Sequence, residues 1–445
     1  MTTRAAVALL LLVLFAGRAG ASPEIPGASQ QKPIAIVGGT IHPVSGPDIV
    51  GGTLLFEEGR IVAVGSKVAV PDGAQRVDAT GKHVYPSLLD AYTAVGLVEI
   101  NAVRATRDQA ESGQINPNVK AQVAVNPDSE MIPVTRSNGV LLALSAPAGG
   151  LISGTSAVMQ LDGWTWEDMT LRAPIGMHLE WPRMTAVNFT GADMAQKERD
   201  KRRRMELQKI RQAFADARAY LKAKDARGVA SPAPPPADVR WEAMISVLEG
   251  RVPLIVHAER ARQIQAAVAF AQRQEVKLII YGGYDAPHCA EFLKEHNVPV
   301  IVAGVLRLPR RRSDPYDAPF TVPQRLRAAG VKFCISGSGR FGASNVRNLP
   351  YHAATAAAYG LPNEEALRAI TLHAAEILGV ADRVGSLEVG KDATLIVTDG
   401  DPLETPTHVL DAFIQGRRVD LSDRHKRLNA KYKEKYRRLE AAKEN

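Results

Sequence analysis

Cysteine is nearly absent: of 445 residues only Cys289 and Cys334 carry thiols. Two cysteines 45 positions apart in so long a chain exclude a disulfide framework, and both are expected to be buried thiols. Aromatic residues are scarce, at 5%. With alanine and valine abundant, the core must be built from small aliphatic side chains. Past the N-terminus no stretch is apolar enough to supply the about 20 residues that a bilayer span needs. There is also no phosphate-binding glycine loop, no Ser-His-Asp signature and no paired-cysteine zinc spacing, so the corresponding chemistries have no sequence support.

What is present begins at the N-terminus. Arg4 is a short positive region, residues 5–17 are unbroken apolar or small, and Ala19-Gly20-Ala21 fits a small-x-small cleavage pattern. Together they read as a secretory signal peptide over 1–21, removed before Ser22. The apolar run is too short for an anchor. The mature protein is expected to be periplasmic or secreted, with no membrane contact after cleavage. The net charge of +8 is concentrated in Lys201 to Arg204, Arg310 to Arg312 and the run from Arg424 to Arg438. These runs read as solvated faces, with a weak anionic-surface contact as the alternative. No nucleic-acid partner is expected.

Residues 22–84 form the first part of a small β module, with a hairpin turning at Glu57-Glu58-Gly59-Arg60. Residues 381–422 supply strands at the other end, and 423–445 a basic C-terminal helix. The two ends are expected to close one β-sandwich module. Between them, strands and helices alternate, which argues for a parallel sheet. Eight strand candidates are 84–89, 139–144, 156–161, 175–181, 254–257, 277–281, 298–303 and 331–336. They predict an α/β fold, a (β/α)₈ TIM-type barrel over 85–380, with its site at the C-terminal strand ends. A helical and Pro-rich insertion occupies about 185–240. It reads either as an excursion over the barrel mouth or as a surface helix.

Two segments resemble the amidohydrolase superfamily, near its imidazolonepropionase-like branch. They are 81–93, Gly-Lys-His-Val-Tyr-Pro-Ser-Leu-Leu-Asp-Ala-Tyr-Thr, and 370–379, Ile-Thr-Leu-His-Ala-Ala-Glu-Ile-Leu-Gly. The resemblance covers nearly the whole mature chain. It implies a barrel with a terminal β module and hydrolysis of amide-like, non-peptide C–N bonds by a metal-activated water. The family pattern then breaks. The first barrel strand of the family ends in Asp-Ala-His-x-His, where this chain has Tyr92 and Ala94. The fifth-strand histidine is kept as His257. The sixth strand, Ile280-Tyr281-Gly282, has none, and the eighth, from Cys334 to Arg340, has no carboxylate. A conventional binuclear site is not expected.

Side chains alternate along a strand, so His178 and Glu180 share one face and His257 and Glu259 another. On neighbouring strands these two His-x-Glu pairs would meet at the mouth. They form the candidate catalytic set, with His178 and His257 as candidate ligands of one divalent metal, zinc or similar. A metal-free His–Glu general base is the other reading. Each residue also has a bland reading, as a solvent-facing acid or a hydrogen-bonded core histidine. Candidate substrate contacts are Tyr92, Asp285, His288, Ser336, Ser338 and Arg340, the last three in a glycine-rich turn able to hold an anion. A plain tight turn is the alternative there. Three functions stay open: a hydrolase with a non-standard site, a small-molecule-binding pseudoenzyme, and a non-catalytic partner of an active relative. A small-molecule ligand is expected in each, and self-association or pairing with a related chain is expected as well.

Overall fold

The computed structural model describes residues 24–184, 193–226, 236–337 and 342–443. The expected signal peptide lies outside them, as do Ser338, Arg340 and most of the Pro-rich connector. The N-terminal part is strand-rich. β1 (Ile34–Ile41) pairs antiparallel with β2 (Ile49–Glu57), and β2 with β3 (Arg60–Gly65). Their two-residue turn is Glu58-Gly59, at φ +48° and +77°. Positive φ at both positions is what a type I′ hairpin turn requires. β4 (Gln75–Asp78) and β5 (His83–Pro86) lie parallel to β1.

One residue separates the module from the barrel wall. β6 (Leu88–Thr93) begins directly after Ser87, whose Oγ accepts the Leu141 N–H at 3.2 Å. The expected single strand 84–89 is therefore two, the first half in the module and the second in the wall. β7 (Val140–Ser145) runs parallel to β6. β8 (Ile152–Thr155) and β9 (Ala157–Gln160) are one run broken at Ser156, followed by β10 (Thr170–Arg172). β9 is antiparallel to β7, and β8 is antiparallel to β11 (Met177–Glu180). The third wall strand was expected to be parallel, and that expectation is corrected. β12 (Leu254–Ala258), β13 (Leu278–Gly282), β14 (Val300–Ala303) and β15 (Phe333–Ser336) then follow β11 in parallel succession.

The wall thus consists of two mixed sheets, β10-β9-β7-β6 and β15-β14-β13-β12-β11-β8. They join covalently at Ser156, and on the other side through Ser336, whose Oγ is 2.8 Å from Asp90 Oδ1. Backbone ladders do not close the ring among the described residues. The strands are buried on both faces, as expected for a sheet covered on both sides. Leu254 and Val256 pack outward with Ile280 and Val302, while Ile255, Ile279, Ile301 and Cys334 pack inward. Ala374, Ala375, Ile377 and Leu378 plug the inner cluster at one end. Both cysteines are buried and free, as expected.

The chain returns to the module with β16 (Leu395–Thr398), β17 (Val409–Ile414) and β18 (Arg417–Arg418). β16 pairs antiparallel with β5, so both ends of the chain build one eight-stranded sheet. The module is one continuous hydrogen-bonded sheet folded over its own core: three strands lie between β2 and β17 in the ladder, yet Phe56 meets Phe413 edge-on at 5.2 Å.

The insertion contains α1 (Asp193–Asp225), and α2 (Val239–Leu248) begins where it ends. Ile210, Ala213, Phe214 and Ala217 are buried at i, i+3, i+4 and i+7, an apolar stripe at helical spacing. Phe214 meets Phe270 of α3 (Ala261–Arg273) edge-on at 5.1 Å. This face of α1 is packed against the outer helices.

Candidate active site

The two-residue period of the strands decides which side chains meet inside the wall. Met177 and Leu179 pack outward, so His178 and Glu180 point inward. Ile255 and Ile279 point inward, and with them His257 and Tyr281. Ladder pairing sets Glu180 beside His257 and His257 beside Tyr281. Tyr92 comes from β6 across the ring. The result is a cluster of four rings. Tyr92 stacks on Tyr281 at 3.9 Å, and His257 meets Tyr92 at 5.1 Å, Tyr281 at 4.8 Å and His178 at 5.5 Å.

Polar contacts run through this cluster in one line. Glu180 Oε2 is 3.2 Å from His257 Nδ1, and His257 Nε2 is 3.2 Å from His178 Nδ1. The line starts at solvent, because the Glu180 side chain is 60% exposed, and ends inside, because His178 is fully buried. His178 Nε2 is buried and has no partner among the described residues. Burial, then the neighbouring His257, holds the His178 pKa well below the usual imidazole value, so this ring is neutral. Burial, reinforced by Glu180, pushes the Tyr92 phenol above its ordinary range, so it stays protonated.

Three of the four predicted catalytic residues are therefore brought together, and Glu259 is not. Its carboxylate takes Arg307 Nη1 at 2.8 Å, Arg310 Nη1 at 2.7 Å and the Tyr284 N–H at 3.1 Å. Charge-assisted bonds of this kind hold a carboxylate firmly. Glu259 follows the end of β12 and anchors the segment after β14. Asp285 is likewise engaged, by the Ala261 N–H and the Arg311 guanidinium. His288 is exposed in the short turn beyond it. Ser336 is buried, its Oγ 2.8 Å from Asp90 Oδ1 and 2.9 Å from the Tyr92 carbonyl. It ties the two sheets together and cannot serve as part of an open anion cradle.

Asp90 was not singled out from the sequence. It is fully buried and accepts N–H bonds from Tyr92 at 3.1 Å and Gly337 at 3.1 Å besides Ser336. Burial pushes its pKa up to about 7, against these bonds, which pull it down. Tyr281 was also missed, although alternation from Ile279 would have turned it inward.

The nitrogens of His178 and His257 stand 3.2 Å apart, close to the separation of about 3.3 Å for two imidazoles on one tetrahedral zinc with bonds of about 2.0–2.1 Å. The donor set stops there. Glu180 faces the opposite nitrogen of His257, and the Tyr92 and Tyr281 rings fill the adjoining side. No three His, Cys, Asp or Glu side chains converge on one point among the described residues. A catalytic zinc needs three protein ligands, so these residues do not fit the family's metal.

Comparison with known proteins follows the same line. The model described as "Amidohydrolase family" matches residues 167–419, more than half of the chain. The chain belongs to the amidohydrolase family. It is a hydrolase family acting on C–N bonds, and its members usually bind a divalent metal such as zinc. Imidazolonepropionase of Symbiobacterium thermophilum is 29% identical over 397 residues, covering 81% of this chain and 85% of that protein. Amidohydrolase tasK of Hapsidospora irregularis is 24% identical over 400 residues, covering 82% of this chain; the chain spans only 39% of tasK. Among solved structures, an amidohydrolase from Thermotoga maritima superimposes with a TM-score of 0.77 at 26% identity, covering 87% of this amidohydrolase and 99% of the other. The fold is thus of the TIM-barrel type with an additional β domain.

Proposed function

We propose that this amidohydrolase is an exported enzyme that hydrolyses amide or cyclic amide C–N bonds with a degenerate site, in which a histidine relay moves the proton. The observation that carries this reading is the unbroken line from Glu180 through His257 to His178. Ionised Glu180 orients His257 by accepting its Nδ1–H. His257 Nε2 then accepts from His178 Nδ1, which leaves His178 Nε2 as the free base. Substrate binding in this reading opens the packing over that buried nitrogen to a water, which gives it a proton and attacks the carbonyl carbon. As the C–O bond forms and the C–N bond breaks, the leaving nitrogen takes the proton back. Export after cleavage before Ser22, to the periplasm or the medium, belongs to the same proposal.

The Tyr92–Tyr281 stack favours a second reading. Two phenols replace the imidazoles that the family uses on its first and sixth strands, which suits a chain that captures a small molecule or pairs with an active relative without turnover. The test is hydrolysis of a panel of N-acyl amino acids and cyclic amides by the purified protein, with metal content measured in the absence of chelator. Turnover that His257→Ala abolishes supports the relay. Turnover untouched by His257→Ala overturns it. Ligand-dependent stabilisation without turnover, or co-purification with a second amidohydrolase, supports the second reading.

A further inference from the structure

The last helix, α4 (Arg424–Ala441), starts at Asp423, whose carboxylate accepts the Lys426 N–H at 2.9 Å. Its first turn is tied to the body. Arg427 pairs with Glu130 at 3.6 Å, and His425 Nε2 lies 3.1 Å from Arg347. No residue of the helix is buried. Eighteen residues make a rod about 27 Å long. An isolated helix of this length is marginal in water, and helices in proteins are held mostly by packing of an apolar face. α4 has such a face, and the described residues leave it exposed.

That face is narrow. Leu428, Tyr432, Tyr436 and Leu439 follow at steps of four, four and three, and they are 39%, 49%, 60% and 49% exposed. Around them stand eight Lys and Arg against two Glu, a net of +6 within a whole-chain charge of +8. The body of the protein is close to neutral, and its charge is collected on one rod. Lys431 and Lys435 sit over the Tyr432 ring, each at 6.0 Å, and Lys435 over Tyr436 at 5.9 Å. Cations and apolar groups therefore face outward together.

We propose that α4 is an interfacial helix that lies on an anionic phospholipid surface. A basic helix with a leucine and tyrosine stripe matches such a surface twice, in charge and in the amphipathic character of tyrosine at a headgroup layer. A second copy of α4 would bring +6 against +6. A nucleic acid would engage the cations and leave the Leu428–Leu439 stripe in water. The inference is independent of the hydrolytic reading, and it replaces the expectation of no membrane contact.

Co-sedimentation with vesicles tests it. The full chain and a chain ending at Asp423, with the same N-terminus, are compared on phosphatidylcholine and on equal phosphatidylcholine and phosphatidylglycerol. The shared residues 5–17 then contribute equally to both. The full chain is expected to partition at least tenfold better onto the anionic vesicles, and to lose this preference in 0.5 M salt or on truncation. Tyr432→Ser with Tyr436→Ser in the full chain is expected to weaken the binding several-fold. That variant carries the test if the shortened chain does not fold. Equal partition of the two chains overturns the proposal, as does equal partition onto the two vesicle types. Binding unaffected by the tyrosine substitutions, tighter binding to a DNA duplex, or a dimer lost on truncation overturns it as well.

Discussion

The rings of Tyr92 and Tyr281 stack with centroids 3.9 Å apart and planes inclined by 24°. They come from the first and the sixth strand of the wall, and both touch His257. Replacing the pair, Tyr92→His with Tyr281→His, would set four imidazoles around one point. This variant is expected to retain about one equivalent of zinc through gel filtration, where the parent retains less. Metal analysis decides it. Equal zinc in both proteins means that the stack does not stand in for ligands.

Glu180 is the outer end of the proposed relay and its one carboxyl group. Glu180→Gln keeps the shape and removes the charge that stabilises a protonated His257. A 10- to 100-fold fall in kcat with little change in KM is expected, the lower range of a general-base contribution. Because the side chain is exposed, stability should change by no more than about 0.5 kcal/mol. An unchanged kcat would put the proton path elsewhere.

Arg136 is a structural cation. Its Nη1 is 2.6 Å from Asp162 Oδ1 and 3.1 Å from the Leu161 carbonyl, with both side chains buried. Asp162 also accepts the Gly27 N–H at 3.0 Å and faces Arg417 at 3.4 Å. Arg136→Met leaves a buried carboxylate short of its partner. A loss of about 3–5 kcal/mol is expected in urea unfolding. A loss below 1 kcal/mol would show that Arg417 alone compensates.

His352 couples stability to acid. Burial, with Arg307 nearby, lowers its pKa from 6.5 to about 4, and its Nδ1 accepts the Leu306 N–H at 3.2 Å. Above pH 6.5 the ring is neutral in both folded and unfolded chains, and its contribution is fully present. Between pH 6.5 and 4 the unfolded chain takes a proton that the folded chain refuses, so stability falls with pH. The shift corresponds to about 3 kcal/mol by pH 4. Asp90 acts with the opposite sign. Its pKa is raised to about 7, so its contribution is present below the unfolded value and lost as pH rises through 7. His352→Gln is expected to flatten the acid limb of a plot of unfolding free energy against pH. An unaltered limb would assign the loss to other groups.

Local chemistry was legible where the chain itself decides the outcome. The hairpin at Glu57–Arg60 and the inward pairing of His178 with Glu180 follow from turn residues and from strand alternation. The direction of the run through β8 and β9 does not, because apolar strands read the same parallel or antiparallel. Glu259 was misassigned because alternation stops where β12 ends. Its partners, Arg307 and Arg310, arrive from a segment some fifty residues on. Asp90 escaped notice for a similar reason: a carboxylate in a strand looks solvent-facing until Ser336 and Gly337 are brought against it. The division at Ser87 is marked by Pro86 just before it, but the run 84–89 is apolar enough to read as one strand.

Val84 of β5 stands opposite Val397 of β16, more than 300 residues later. During synthesis β5 therefore waits, with one edge unpaired, until the whole barrel has been made. An unpaired strand edge invites association with other chains, and so distant a pairing is slow to form. The module that begins the sequence is the last part able to finish folding. A chain cut anywhere before β16 would carry an adhesive edge at its front end, however complete its barrel.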